Sequence, residues 1–167
     1  MKNFFSTLIL ILFMSGFVSA QTPKHVLGLR FGSGDGFGTE ISYQHGLKSI
    51  NRVELDLGFR SDYVNYMGEH YNYTSWGLTG LYHWVMELNG DFNWYLGAGA
   101  KLGSWNYDPG YAYKYDDGLF LAAAGDVGLE YSFPVGIQLA LNLRPEFGLI
   151  NHGTVINVGL AVRYRFR

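Results

Sequence analysis

The chain has 167 residues, with 12 Lys and Arg against 14 Asp and Glu and no cysteine. Without a basic excess, nucleic acid is not expected as a partner, and without cysteine no disulfide can supply stability. Past the first 20 residues there is no run of 18 or more apolar residues, so no transmembrane helix is predicted.

Residues 1–20 read as a secretory signal peptide. Lys2 provides the positive start, Leu8 to Met14 the short apolar run, and Val18-Ser19-Ala20 the small-residue cleavage site before Gln21. The remaining domain, 21–167, has 147 residues. Without Lys2 it carries 11 basic and 14 acidic residues, a formal charge of −3.

Eight alternating segments follow in order, and alternation with period two is the mark of a β-strand with two unlike faces. The first sets Leu27, Leu29 and Phe31 against Val26, Gly28 and Arg30. The second sets Ile41 and Tyr43 against Glu40, Ser42 and Gln44. The third sets Val53, Leu55, Leu57 and Phe59 against Glu54, Asp56, Gly58 and Arg60. In the fourth, Trp76, Leu78, Tyr82, Trp84 and Met86 oppose Ser75, Thr79, Leu81, His83 and Val85. Asn89-Gly90 then signals a tight hairpin of type I′, which needs positive φ at both central residues.

The fifth segment places Phe92, Trp94, Leu96 and Leu102 opposite Asn93, Tyr95 and Lys101. The sixth places Leu119, Leu121, Val127, Leu129 and Tyr131 opposite Phe120, Asp126 and Glu130. The seventh opposes Ile137, Leu139, Leu141 and Leu143 to Gln138, Asn142, Arg144 and Glu146. The eighth is the most regular. Ile156, Val158, Leu160, Val162, Tyr164 and Phe166 share one face, and Asn157, Gly159, Ala161, Arg163 and Arg165 share the other.

Eight short strands make a sandwich or a barrel. The charges decide between them. Every strand charge falls on the less apolar face: Arg30, Arg60, Lys101, Arg144, Arg163 and Arg165, against Glu40, Glu54, Asp56, Asp126, Glu130 and Glu146. Six bases match six acids, as a narrow lumen requires, because an unpaired buried charge costs several kcal/mol. The other face carries no charge, as lipid requires, since Lys or Arg at mid-bilayer costs about 2–4 kcal/mol.

The aromatics form two belts. Trp84, Met86, Phe92, Trp94, Tyr131, Tyr164 and Phe166 lie at one end, and Phe31, Phe59, Trp76 and Trp105 at the other. Connections 32–38, 61–72, 104–118 and 148–154 alternate with the shorter 46–51, 88–91 and 132–136. Long loops outside and short turns in the periplasm are the barrel arrangement. The predicted fold is therefore all-β, an eight-stranded antiparallel up-and-down transmembrane barrel whose lumen side chains fill.

Over about residues 25–166 the chain resembles the small bacterial outer-membrane barrels of the OmpX and OmpA transmembrane-domain kind. The final alternating strand up to Phe166 carries the resemblance. It implies an outer-membrane location, contact with outer-membrane lipid and lipopolysaccharide, and recognition of Tyr164 and Phe166 by the barrel-assembly machinery. Arg167 after Phe166 departs from that terminal pattern.

The expected role is structural or surface contact, without catalytic residues, cofactor or metal. Tyr63, Tyr66, Tyr71 and Tyr73 in one long connection and Tyr107, Tyr111, Tyr113 and Tyr115 in another are the candidates for touching an extracellular ligand or host surface. Tyrosine gives a large amphipathic contact at low entropy cost. The glycine-rich 32–38 run has no following helix and is read as a hairpin, not a phosphate cradle. None of His25, His45, His70, His83 and His152 has metal-motif spacing, although His70-Glu69 and Asp116-Asp117 could meet between loops. His83 is expected to satisfy a lumen neighbour.

Two alternatives remain open. One is a lipid A-modifying enzyme drawing on Ser33, Ser61, Ser75 or Ser104 with His70 or His152. The other is a soluble periplasmic ligand-binding barrel.

Overall fold

A computed structural model describes residues 22–33, 38–48, 50–66, 69–107 and 118–166. The signal segment 1–20, the 34–36 glycine run, Asp116, Asp117 and Arg167 lie outside the described residues, as do the side chains at 62–71, 73 and 107. Eight strands follow in chain order: β1 (His25–Gly32), β2 (Thr39–Gly46), β3 (Asn51–Tyr66), β4 (Glu69–Asn89), β5 (Phe92–Tyr107), β6 (Gly118–Ser132), β7 (Ile137–Ile150) and β8 (Val155–Phe166). Each pairs antiparallel with the next, and β8 closes on β1, giving one closed barrel. Within the closed ring each strand's backbone is satisfied by its two neighbours.

The register follows the alternation in the sequence. Arg30 pairs with Glu40 across β1 and β2, Asp56 with Thr79 across β3 and β4, and Gln138 with Arg163 across β7 and β8. A slip of one residue would turn every charge outward. The outer surface is apolar: Leu55, Leu96, Leu129, Leu141 and Ile156 are all exposed, the last at 68%. The inner surface holds the buried charges together with a small apolar cluster of Val85, Tyr95, Ala140 and Ala161. This inverts the burial of a water-soluble domain.

Three features differ from the sequence expectation. First, much of the connection 61–72 is paired strand. β3 and β4 continue through Ser61↔Thr74 to Tyr66↔Glu69, whereas β2 pairs with β3 only as far as Gly58. A two-stranded hairpin thus rises past the barrel, joined part-way by β5 through Tyr73↔Tyr107. Polar tyrosine-rich composition suggested a loop, but Tyr, Val and Thr also favour strands.

Second, the β4–β5 turn is not type I′. Only Gly90, at φ 58°, has positive φ there, and the two-residue connection is Gly90-Asp91, after a register shift between Glu87 and Asn89. Positive φ at the first central position alone is the type II′ pattern. The bulge moves the turn one residue along from Asn89-Gly90.

Third, Trp105 is not part of an outer aromatic belt. It shares the inward parity of Lys101 and Gly103, and its ring lies 5.4 Å from buried Phe120. It caps the lumen at the hairpin end. The belt at the end holding both termini is formed by outward rings, with Phe92 on Tyr131 at 5.3 Å and Tyr164 on Phe166 at 5.3 Å.

Candidate functional site

Among the described residues, the lumen gathers chemically active side chains from all eight strands. Arg144 on β7 is its hub. Its Nη2 lies 2.7 Å from Asp56 Oδ2, 3.1 Å from Glu54 Oε1 and 3.4 Å from Asp126 Oδ2, and Nη1 is 3.7 Å from Glu40. Three of these acids thus converge on one nitrogen of a guanidinium that stays charged when buried. Arg163 on β8 reaches the same Glu54 oxygen at 3.0 Å, and its Nε donates to Ser42 Oγ at 2.8 Å. Gln44 donates to the other oxygen of Glu54 at 2.6 Å.

Arg30 forms the next layer towards the hairpin end. It pairs with Glu40 at 2.8 Å and donates to Asn142 and Asn157. Asn142 in turn donates to Asp126 at 2.7 Å. At the hairpin end itself, Lys101 Nζ holds both oxygens of Glu146 at 3.0 and 2.9 Å, and His152 Nε2 meets Glu146 at 3.1 Å with its ring stacked on Phe120.

Towards the terminal end, Arg52 pairs with Glu130 at 2.7 Å and lies 4.8 Å over the Tyr95 ring. Arg52 Nε donates to His83 Nδ1 at 3.2 Å, so that nitrogen must accept. The imidazole proton is thereby assigned to Nε2, which faces Asp126 Oδ2 at 3.3 Å. The His83 ring also stacks on Tyr95 at 4.7 Å.

Of the twelve residues expected in the lumen network, ten are buried there: Arg30, Glu40, Glu54, Asp56, Lys101, Asp126, Glu130, Arg144, Glu146 and Arg163. Arg60 is half-buried near the hairpin end. Arg165 stays outside the ion pairs. It is half-buried and donates to the Phe133 carbonyl at 2.6 Å, fastening the 133–136 turn.

Arg52 joins this network too, although the sequence pattern places a turn through Asn51 and starts the strand at Val53. Its parity with Glu54 and Asp56 was the available signal. Five buried bases therefore face six buried acids. Imidazoles stand beside three of those acids, His83 at Asp126 and Glu54 and His152 at Glu146.

Glu54, His83 and Asp126 bring three ligand-type atoms within 4.8 Å of one another. Arg52, Arg144 and Arg163 already occupy their lone pairs, so a cation there would face three guanidinium groups. The chemistry of the cluster is charge neutralisation, not metal binding. The His70-Glu69 and Asp116-Asp117 pairs and the tyrosine contact candidates lie outside the described side chains, apart from the strand positions of Tyr63, Tyr66, Tyr71, Tyr73 and Tyr107.

No protein-family model and no curated protein sequence matches the chain. Solved structures do. The N-terminal β-barrel domain of Pseudomonas aeruginosa OprF superposes with a TM-score of 0.58 at 22% identity, covering 87% of this chain and 100% of that one. The fold is that of the small outer-membrane β-barrels. Neisserial surface protein A superposes at 0.55 with 15% identity, over 85% of this chain and 94% of that one. Ail, the attachment invasion locus protein of Yersinia pestis, in complex with the heparin analogue sucrose octasulfate, superposes at 0.57 with 12% identity, over 85% and 96%.

Proposed function

We propose that this chain spans a bacterial outer membrane and serves there as a structural and surface-contact barrel. One observation carries the reading: charges are sealed inside while a continuous belt of leucine, isoleucine, valine and aromatic side chains is exposed. Only lipid makes that distribution favourable, at about 25 cal/mol per Å² of apolar surface removed from water. The end bearing the termini and the short turns then faces the periplasm. The β3–β4 hairpin faces outward, among lipopolysaccharide. The barrel-assembly machinery would read the β8 end at Tyr164 and Phe166.

The lumen network is structural in this reading. Its ion pairs satisfy buried charge and fix the register. The outward hairpin supplies the contact surface, since its β3 edge beyond Gly58 has no strand on the β2 side among the described residues. Such an edge and a tyrosine-rich sequence suit a protein or host-surface contact. Connections 61–72 and 104–118 carry Asp62, Glu69, Asp108, Asp116 and Asp117 against Lys114 alone. That charge disfavours a sulfated glycan of the sort bound by Ail.

The lipid A-modifying alternative draws no support from the site geometry. Among the described residues no serine hydroxyl hydrogen-bonds His152, whose Nε2 is committed to Glu146.

The test replaces 61–74 by a two-residue turn and compares adherence of bacteria displaying either form. The reading expects a heat-modifiable, correctly inserted barrel with reduced adherence. Unchanged adherence removes the contact role.

A further inference from the structure

Two histidines unused by the lumen face each other on the outside of the barrel. His25 opens β1 and His45 lies near the end of β2, 20 residues apart in sequence. The hairpin register makes them direct cross-strand partners. Both share the outward parity of Leu27, Leu29, Ile41 and Tyr43, and both are half-buried. Their ring centroids are 4.9 Å apart, tilted by 50°.

A tetrahedral ion holding two imidazoles at 2.0–2.1 Å per nitrogen sets the ring centres about 5 Å apart. The observed spacing of 4.9 Å lies close to that value. A second observation points the same way. His25 Nδ1 lies 2.8 Å from the Tyr43 hydroxyl. When Nδ1–H donates to that oxygen, Nε2 keeps its lone pair. This is the outer-shell arrangement that fixes the tautomer of a metal-bound histidine. His45 has no hydrogen-bond partner among the described residues, so its ring nitrogens remain available to a ligand.

We propose that His25 and His45 form a two-imidazole site for a divalent transition-metal ion such as Cu2+ or Zn2+, with Tyr43 as the orienting partner. Imidazole pairs suit these ions better than Mg2+ or Ca2+, which take oxygen ligands. Motif spacing could not reveal the pair, because the two residues meet only through strand register. The site sits at the end of the barrel bearing the termini. Its geometry stands whether or not the outer-membrane reading holds.

The test uses the folded, untagged barrel in detergent. Cu2+ is titrated and followed by electron paramagnetic resonance, with Zn2+ as competitor. One saturable Cu2+ site with nitrogen hyperfine structure is expected. His45→Ala and His25→Ala should each abolish it, and Tyr43→Phe should weaken it about tenfold. The gel shift on boiling confirms that each variant is folded. No saturable binding by the wild type overturns the proposal. So does wild-type binding in the His25→Ala/His45→Ala double variant.

Discussion

Arg144 and Asp56 meet at 2.7 Å across the barrel, from β7 to β3, with both side chains fully buried. The contact links strands 88 residues apart and sits where Glu54 and Asp126 also converge on the same Nη2. It ties opposite walls of the lumen together.

Arg144→Met would leave that group of carboxylates without its central cation. Removing one partner of a buried pair costs about 3–5 kcal/mol. The loss should appear as a lower urea midpoint in unfolding from lipid vesicles. Arg144→Lys should recover only part of it, because the shorter lysine side chain does not set its nitrogen where Nη2 meets the three acids. Equal stability of Met and wild type would refute the hub role.

Tyr95 is packed against Gly128. A Cβ on Gly128 would stand 2.5 Å from both Cζ and Oη of the ring and 2.8 Å from the Leu141 carbonyl oxygen. Gly128→Val should therefore destabilise by about 1–3 kcal/mol through overpacking. The Tyr95 hydroxyl has no hydrogen-bond partner among the described residues. Tyr95→Phe should leave stability unchanged or raise it, and should relieve part of the Gly128→Val loss. A double-mutant cycle measures the coupling.

The outer belt gives a depth-dependent prediction. Leu141 lies four residues into β7 and is 56% exposed, while Val135 lies in the 133–136 turn and is 70% exposed. Leu141→Arg should cost about 2–4 kcal/mol in vesicles and Val135→Arg about 0–1 kcal/mol. Exposure alone, without lipid, predicts no penalty for either. Equal small effects at both positions would contradict membrane burial.

Gly90 provides a local test of the turn. Its φ of 58° is one that L side chains rarely adopt, whereas Asp91 has no positive φ. Gly90→Ala should cost about 1 kcal/mol. Asn89→Ala should cost less, since Asn89 does not occupy the left-handed position that its sequence suggested. Unfolding midpoints of the two variants check the order.

The strands and their facing were legible because lipid and a narrow lumen each impose one polarity on alternate residues. Glu54, Asp56 and Arg144 could be placed inside from parity alone. Which acid meets which base could not, since Arg144 and Glu54 come together through barrel closure, not through adjacent strands. Arg52 was lost at a strand start, where turn chemistry and alternation compete. The extension of β3 and β4 to Tyr66 and Glu69 was hidden because polar residues there no longer alternate with apolar ones once the hairpin leaves the barrel. His25 and His45 were invisible as a pair for the same reason as Arg144 and Glu54: register, not spacing, brings them together.

The central claim is that apolar side chains face lipid around a closed, charge-filled barrel. Electrophoresis of the outer-membrane fraction, with and without boiling, tests it most directly. A closed ladder that survives detergent should migrate differently from the boiled chain, and the protein should be found only in the membrane fraction. Recovery as a soluble periplasmic protein, with one mobility under both conditions, would contradict the account.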